Sequence, residues 1–258
     1  MPTLFVGHGS PMNALADNQW TRGLAGLTRL FPRPKAILAI SAHWVTAAAQ
    51  ATANAHPPTI HDFGGFPKAL HDLQYPAPGD INLVKRLAET VGAAPAADWG
   101  LDHGTWTVLL HMYPGADIPV VQLSMSNRLS VAQHLEVGRK LSALRNEGVL
   151  ILGSGNVTHN LRDAFTRMRE SAPETPAWAR NFDNAVVQAS KLSDGQQLIR
   201  TLDTQDGRMS HPTSEHFLPL LYVHGASDRN DSVSYPIEGF DAGSLSMRAL
   251  LYSPKPSA

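Results

Sequence analysis

The chain has 258 residues, 43% of them hydrophobic, with 21 basic against 22 acidic side chains and a formal net charge of −1. That length fits one large α/β domain or two small ones with a substantial core, and the balanced charge excludes a broadly basic nucleic-acid surface. Twelve histidines and no cysteine exclude disulfides, thiolate-held zinc or iron–sulfur centres and a cysteine nucleophile, so a metal here is held by nitrogen and oxygen.

The start, Met1-Pro-Thr-Leu-Phe-Val-Gly-His8, lacks the basic region and long apolar stretch of a secretory signal. Apolar runs such as 36–40 and 149–152 are too short to span a bilayer. A cytoplasmic protein without membrane or nucleic-acid partners is expected. Residues 4–7 read as a buried strand ending in the Gly7-His8-Gly9 turn, where flanking glycines leave the imidazole unobstructed. Ser10 is placed to cap, and Pro11 to start, the next helix. An imperfect helical stripe follows over 12–30 (Met12, Leu15, Trp20, Leu24, Leu27, Leu30) and ends at Pro32 and Pro34. Strands are predicted at 36–41 and 45–53. Between them Ser41-Ala42-His43-Trp44 sets a histidine directly after a buried strand, a position that serves a core edge as readily as a site.

Residues 56–79 are rich in Pro and Gly and read as a long irregular connection. Loops of that length within a domain tend to be functional or disordered, and Phe63, Phe66 and Tyr75 argue against disorder. Its His61-Asp62-Phe63-Gly-Gly-Phe66 is expected to wall a substrate cavity, with the aromatic faces against a ring. Residues 81–91 form an amphipathic pattern. Asp102 either caps a helix running to Tyr113 or orients an imidazole, and His103 beside it is a candidate for substrate contact. A strand is predicted at 118–123, a helix at 131–145 and a strand at 149–152. Gly153-Ser-Gly-Asn then turns into a helix from about 157, with His159 in its first turn. The turn looks like the opening of a dinucleotide fingerprint but lacks its third glycine and acidic ribose partner. Helices at 178–192 and 213–223 follow, the second capped by Thr213 or Ser214 and carrying His216, with Glu215 as a rival ligand. The five-residue step from His211 to His216 is not zincin spacing. Strands at 233–237 and 245–252 close the chain. The alternation predicts a three-layer α/β/α fold around a mostly parallel mixed sheet, with the two late strands as antiparallel edges, in a single domain over 1–258.

Nine blocks carry a resemblance that runs nearly end to end. They are Gly7-His-Gly-Ser-Pro-Met-Asn-Ala, Ser41-Ala-His-Trp, Pro57-Pro-Thr-Ile-His-Asp-Phe-Gly-Gly-Phe-Pro, Tyr75-Pro-Ala-Pro-Gly, Asp102-His-Gly-Thr-Trp, Asp117-Ile-Pro-Val-Val-Gln-Leu-Ser, Gly153-Ser-Gly-Asn-Val-Thr-His-Asn-Leu, His211-Pro-Thr-Ser-Glu-His-Phe-Leu-Pro-Leu and Gly243-Ser-Leu-Ser-Met. Together they resemble the LigB-like class III extradiol dioxygenases, and within them the 4,5-DOPA extradiol branch. The resemblance implies a non-heme Fe(II) enzyme that uses O₂ to open a catechol ring, with DOPA or a related catecholic acid as substrate. It implies His8, His43 and His216 as metal ligands and His159 as the acid–base residue. It further implies His103 near substrate or O₂, and Zn(II) as an alternative occupant that draws His159 in as a fourth ligand.

The residue chemistry is compatible. Three imidazoles leave coordination positions for a bidentate catechol and O₂, and one histidine poised near neutral pH both takes and returns a proton. Two other classes stand beside this reading. One is a zinc hydrolase using Glu215 or Asp62 as its carboxylate. The other is a metal-binding scaffold without turnover, against which the presence of His103 and His159 weighs.

Overall fold

The computed structural model describes residues 1–172, 174–192 and 194–254. In chain order its elements are β1 (Thr3–Gly7), α1 (Gln19–Leu27), β2 (Ala36–Ser41), β3 (Val45–Thr46), β4 (Gln50–Thr52), α2 (Lys68–His71), α3 (Ile81–Val91), β5 (Ala94–Ala96), α4 (His103–Met112), β6 (Val120–Gln122), β7 (Met125–Ser126) and α5 (Val131–Leu141). There follow β8 (Val149–Gly155), α6 (Leu161–Arg169), α7 (Ala177–Ser190), α8 (Gln196–Leu202), α9 (Gln205–Ser210), α10 (Leu218–Ala226), β9 (Ser232–Ser234), β10 (Phe240–Asp241), β11 (Leu245–Ser246) and β12 (Leu250–Ser253).

The central sheet has six strands in the order β6-β2-β8-β1-β12-β9. The first four run parallel, β12 is antiparallel to β1 and β9 to β12. This is the mixed, mostly parallel sheet expected, with its late strands on the antiparallel edge. β1, β2 and β8 are buried at every residue, which is why their sequences read as unbroken apolar runs. Alternate side chains serve opposite faces. Leu4, Val6, Ile37, Ala39, Leu150 and Leu152 join a core with Trp20 and Leu24 of α1 and Trp106 and Leu109 of α4. Phe5, Leu38, Ile40 and Ile151 join the other with Leu135 of α5, Phe182 of α7 and Tyr222 of α10. Helices thus cover both faces, and each fully buried Leu or Ile contributes about 1.5–3 kcal/mol of transfer free energy.

Local chemistry sets the boundaries, and several differ from the sequence reading. α3 matches it: Asp80 Oδ1 accepts from the amides of Asn82 and Leu83, and Gly92 at φ 70° ends the helix. The stripe over 12–30 is broken. Ser10 caps a short 3₁₀ turn at Pro11–Leu15, and an Asn18–Thr21 capping box starts α1 afresh. The predicted strand 45–53 is two short strands, β3 paired with β7 and β4 with β5, outside the central sheet. The predicted helix 131–145 passes from α5 into a 3₁₀ turn at Ser142–Glu147. The late strand 245–252 divides into β11, paired with β10, and β12. No element was anticipated at α8 and α9.

Two corrections matter for function. β8 continues to Gly155, and the following helix begins at Leu161 behind its cap Asn160, not near 157. The last helix begins at Leu218, and neither Thr213 nor Ser214 caps it with a side chain. His159 and His216 therefore stand on irregular segments ahead of their helices. Among the described residues, no helix is long and apolar enough to cross a membrane.

Candidate metal centre and substrate cavity

In open α/β sheets the carboxyl ends of the strands are where ligands bind. β1 ends in Gly7 and is followed by His8; β2 ends in Ser41, two residues before His43; β8 ends in Gly155 and leads to His159. β8 lies between β1 and β2, so the first two histidines reach toward each other across its end. His216 arrives from the chain ahead of α10, tied down by Asn156 N–H donating to its carbonyl at 3.0 Å. That approach needs Gly155: a Cβ there would fall onto the carbonyl oxygen of His216. His103, the first residue of α4 after its cap Asp102, completes the group.

The five imidazoles line one cavity of about 470 Å³. The Nε2 atoms of His8 and His43 lie 3.1 Å apart. Two nitrogens each about 2.0–2.2 Å from one ion, at roughly right to tetrahedral angles, have a separation near that value. The ligating atoms of His8, His43 and His103 all lie within 4.8 Å of one another. His216 is one ring farther on, its centroid 5.3 Å from His8 and 5.0 Å from His43. It stacks face to face on His159 at 3.4 Å with 4° between the planes. The tightest trio thus contains His103 where the resemblance implied His216.

Neighbouring groups decide which ring nitrogen is free. Ser154 Oγ donates to Gly104 O, so its lone pair accepts from His8 Nδ1 at 2.9 Å and leaves His8 Nε2 unprotonated. His103 Nδ1 and backbone N–H both donate to Asp62, each at 2.9 Å. His43 Nδ1 lies 3.5 Å from the same carboxylate. One acid therefore faces the Nδ1 side of two imidazoles. His216 has no partner on either ring nitrogen although both are buried. Glu215 does not fill that role: its Oε1 accepts from Thr213 at 2.7 Å and stands 3.8 Å from His216 Nδ1.

Burial keeps these rings neutral. It pushes His8 and His216 well below the usual imidazole range, with the adjacent histidines adding to the effect. His43 falls to about 3 through burial and the nearby His103, against the opposing pull of Asp62. His159 falls to about 4, chiefly by burial. For Asp62, burial opposes its charge, but the hydrogen bonds from His103 prevail and hold the carboxyl below its ordinary range. Neutral imidazoles with free lone pairs, and the orphaned nitrogens of His216, fit a divalent metal.

The loop 61–66 contributes less surface than expected. Of His61, Asp62, Phe63 and Phe66, only Phe66 lines the cavity. Asp62 is turned to the histidines, and His61 Nε2 sits 3.0 Å from Leu73 O. Phe63 packs edge-on between Phe66 and His103 at 5.3 and 5.6 Å. Sequence reasoning missed the apolar lining from Leu161, Phe165 and Met168 of α6 with Leu245. The 161/165/168 spacing is a legible i, i+4, i+7 stripe. Of the two roles open to Asp102, the structure shows the helix cap: Asp102 is buried, caps α4 and accepts from Gln122, and the imidazole-orienting acid is Asp62.

The chain is similar to known proteins along most of its length. Residues 12–241 match the LigB family, described as the catalytic LigB subunit of aromatic ring-opening dioxygenase. A 4,5-DOPA dioxygenase extradiol of Escherichia coli is 50% identical over 255 residues, covering 96% of this chain and 93% of its own. One from Beta vulgaris is 35% identical, covering 95% of this chain and 93% of its own. The crystal structure of an uncharacterized Escherichia coli protein superposes with a TM-score of 0.84 at 41% identity, covering 98% of this chain and all of that one. With strand-end imidazoles converging on one cavity and a family match across most of its length, the chain belongs to the LigB family of aromatic ring-opening dioxygenases.

Proposed function

We propose that the protein performs extradiol cleavage of a catechol with O₂ at an Fe(II) centre held by His8, His43 and His216, with DOPA or a related catecholic acid as substrate. Zn(II) is the alternative occupant, and 1–258 acts as one catalytic domain. The observation that carries the reading is the 3.1 Å approach of two Nε2 atoms inside a cavity that also holds three further histidines. The names of the relatives support the substrate class. The hydrolase and scaffold alternatives lose their ground to the family match.

Bound Fe(II) supplies the redox chemistry that lets O₂ react with the ring. The rest falls to the chain. Burial lowers His159 to about 4, which leaves its lone pair free at pH 7 but makes it a weaker base than the near-neutral imidazole expected; in this reading it accepts a catechol proton as the substrate enters and returns it when the ring opens. With zinc in the site, His159 would be available as a fourth ligand. Asp62 holds the Nδ1 proton of His103, directing the Nε2 lone pair of His103 toward bound substrate. Phe66 and the α6 side chains exclude water around the ring.

Loading the purified protein with Fe(II) without oxygen, then adding catechol and O₂, is expected to give O₂ uptake and a yellow ring-opened semialdehyde. Ester or amide hydrolysis by the zinc form, with no O₂ uptake by the iron form, would overturn the reading. Metal content of His216→Ala and His103→Ala decides the third ligand: loss in the first with retention in the second supports His216.

A further inference from the structure

Five histidines account for the chemistry of the cavity, but what the rest of its lining selects is a separate matter. Leu161, Ala164, Phe165, Met168 and Leu245 are apolar. Apart from the imidazoles, a single ionisable side chain lines the space among the described residues, and it is Asp241. No lysine or arginine does so there.

Asp241 is held in place. It ends β10, paired opposite Leu245 of β11 in a two-stranded hairpin. Its Oδ1 accepts from the Ala242 amide at 2.9 Å, and Ala242 takes φ 45°, a left-handed conformation that a non-glycine residue adopts only when its surroundings enforce it. Asp241 Oδ2 meets no donor among the described residues. Arg167 lines an adjoining groove that shares Met168 and Ala242 with this cavity. It is already engaged by Asp163 Oδ2 at 2.6 Å and Glu174 O at 2.9 Å. Apolar binding sites take their selectivity from the few polar groups they contain; beside the imidazoles these are the Ser10 hydroxyl, which accepts from the Met12 amide, and one anion, Asp241.

We infer that Asp241 is a specificity-determining residue that binds an ammonium group on the substrate's side chain, so that the preferred substrate is a catechol carrying a short cationic amine. This rests on the ring-cleavage reading and narrows it. A catecholic acid without an amine would bring its carboxylate into an apolar space whose one fixed charge repels it. An amino acid satisfies Asp241 through its ammonium and leaves its carboxylate to the solvent side.

Four probes separate the side-chain charges: dopamine (ammonium alone), DOPA (ammonium and carboxylate), 3-(3,4-dihydroxyphenyl)propanoate (carboxylate alone) and 4-methylcatechol (neither). O₂ uptake by the Fe(II)-loaded full chain gives kcat/KM for each. Ratios between probes within one preparation cancel differences in metal content or folded fraction. The wild type is expected to favour dopamine over 4-methylcatechol and to disfavour the propanoate. Asp241→Asn, which preserves the acceptor for the Ala242 amide, is expected to lower the dopamine to 4-methylcatechol ratio about ten-fold, equivalent to about 1.4 kcal/mol. Asp241→Lys should move the preference toward the propanoate. An unchanged ratio in Asp241→Asn, or a wild type that prefers the propanoate to dopamine, overturns the assignment. Calorimetric binding of the same probes without O₂ reads the ammonium contribution independently of turnover. Absence of O₂ uptake with all four, alongside Asp241-dependent binding, would defeat the dioxygenase reading and leave the ammonium site standing.

Discussion

At the scale of single residues, the centre depends on which imidazole nitrogen is free, and that is settled by groups outside the ring cluster. His8→Ala removes a donor and is expected to lose both metal and turnover, read by metal analysis and O₂ uptake. His159→Ala should keep most of the metal and lose about 10²–10⁴-fold in turnover, the usual range for a general acid or base. If it loses metal as completely as His8→Ala, the proton-transfer role fails. Asp62→Asn and Ser154→Ala disturb the Nδ1 partners of His103, His43 and His8. Each is expected to weaken metal binding or activity by about 10–100-fold, measured by competition with a chelator and by steady-state rates. Unchanged values in both variants would show that the rings orient themselves.

At the scale of elements, α5 and α10 pack so closely that a Cβ on Gly138 would meet the backbone of Tyr222, with its Cα at 2.8 Å. Gly138→Ala is expected to cost about 1–3 kcal/mol through overpacking, seen as a lower midpoint in urea unfolding. An unchanged midpoint would mean that the pair slides apart freely. Elements were legible in the sequence where local signals agreed. α3 has its cap at Asp80, its stop at Gly92 and an apolar stripe between them, and nothing distant competes. α6 and α10 were placed too early because Asn156 and Thr213 look like starts. Asn156 Nδ2 instead donates to Ser246 O at 2.9 Å, and Thr213 Oγ1 donates to Glu215. The first is a contact 90 positions away that no window of sequence contains; the second is local, but it is a side-chain bond that competes with capping. The histidines following β1 and β2 were legible for the opposite reason, since buried strands end where ligands gather. The partnership of Asp62 with His103 spans 41 positions and was not. Nor was the closer grouping of His103 with His8 and His43, which depends on the entry angle of α4.

At the scale of the whole molecule, acid should loosen the fold through histidines away from the cavity. Burial lowers His134 and His224 to about 4 from 6.5, and each sits against a tyrosine hydroxyl, Tyr222 and Tyr252, at 2.9 and 3.0 Å. A histidine kept neutral in the fold but free to charge when unfolded contributes stability above pH 6.5. That contribution is lost as pH falls toward 4, because the unfolded chain then binds more protons. The melting temperature is expected to decline through this window and to decline less steeply in a His134→Gln, His224→Gln double variant. Parallel slopes in the two proteins would assign the acid sensitivity elsewhere.

The carboxyl end of β8 reads Gly153-Ser154-Gly155, the run that looked like the opening of a nucleotide-binding turn. Its smallness has another meaning. A Cβ on Gly153 would sit 2.7 Å from Pro219 O, the space beyond Gly155 is taken by the carbonyl of His216, and Ser154 spends its hydroxyl on Gly104 and His8. These three positions are a clearing kept open in the middle of the sheet so that chain segments from both flanks can meet above it. The tolerances of the centre are therefore set by a strand that contributes no imidazole of its own. One added methyl at Gly153 or Gly155 would push β8 off the segment that carries His216 and Pro219, and so shift an imidazole of the centre from a strand that holds none.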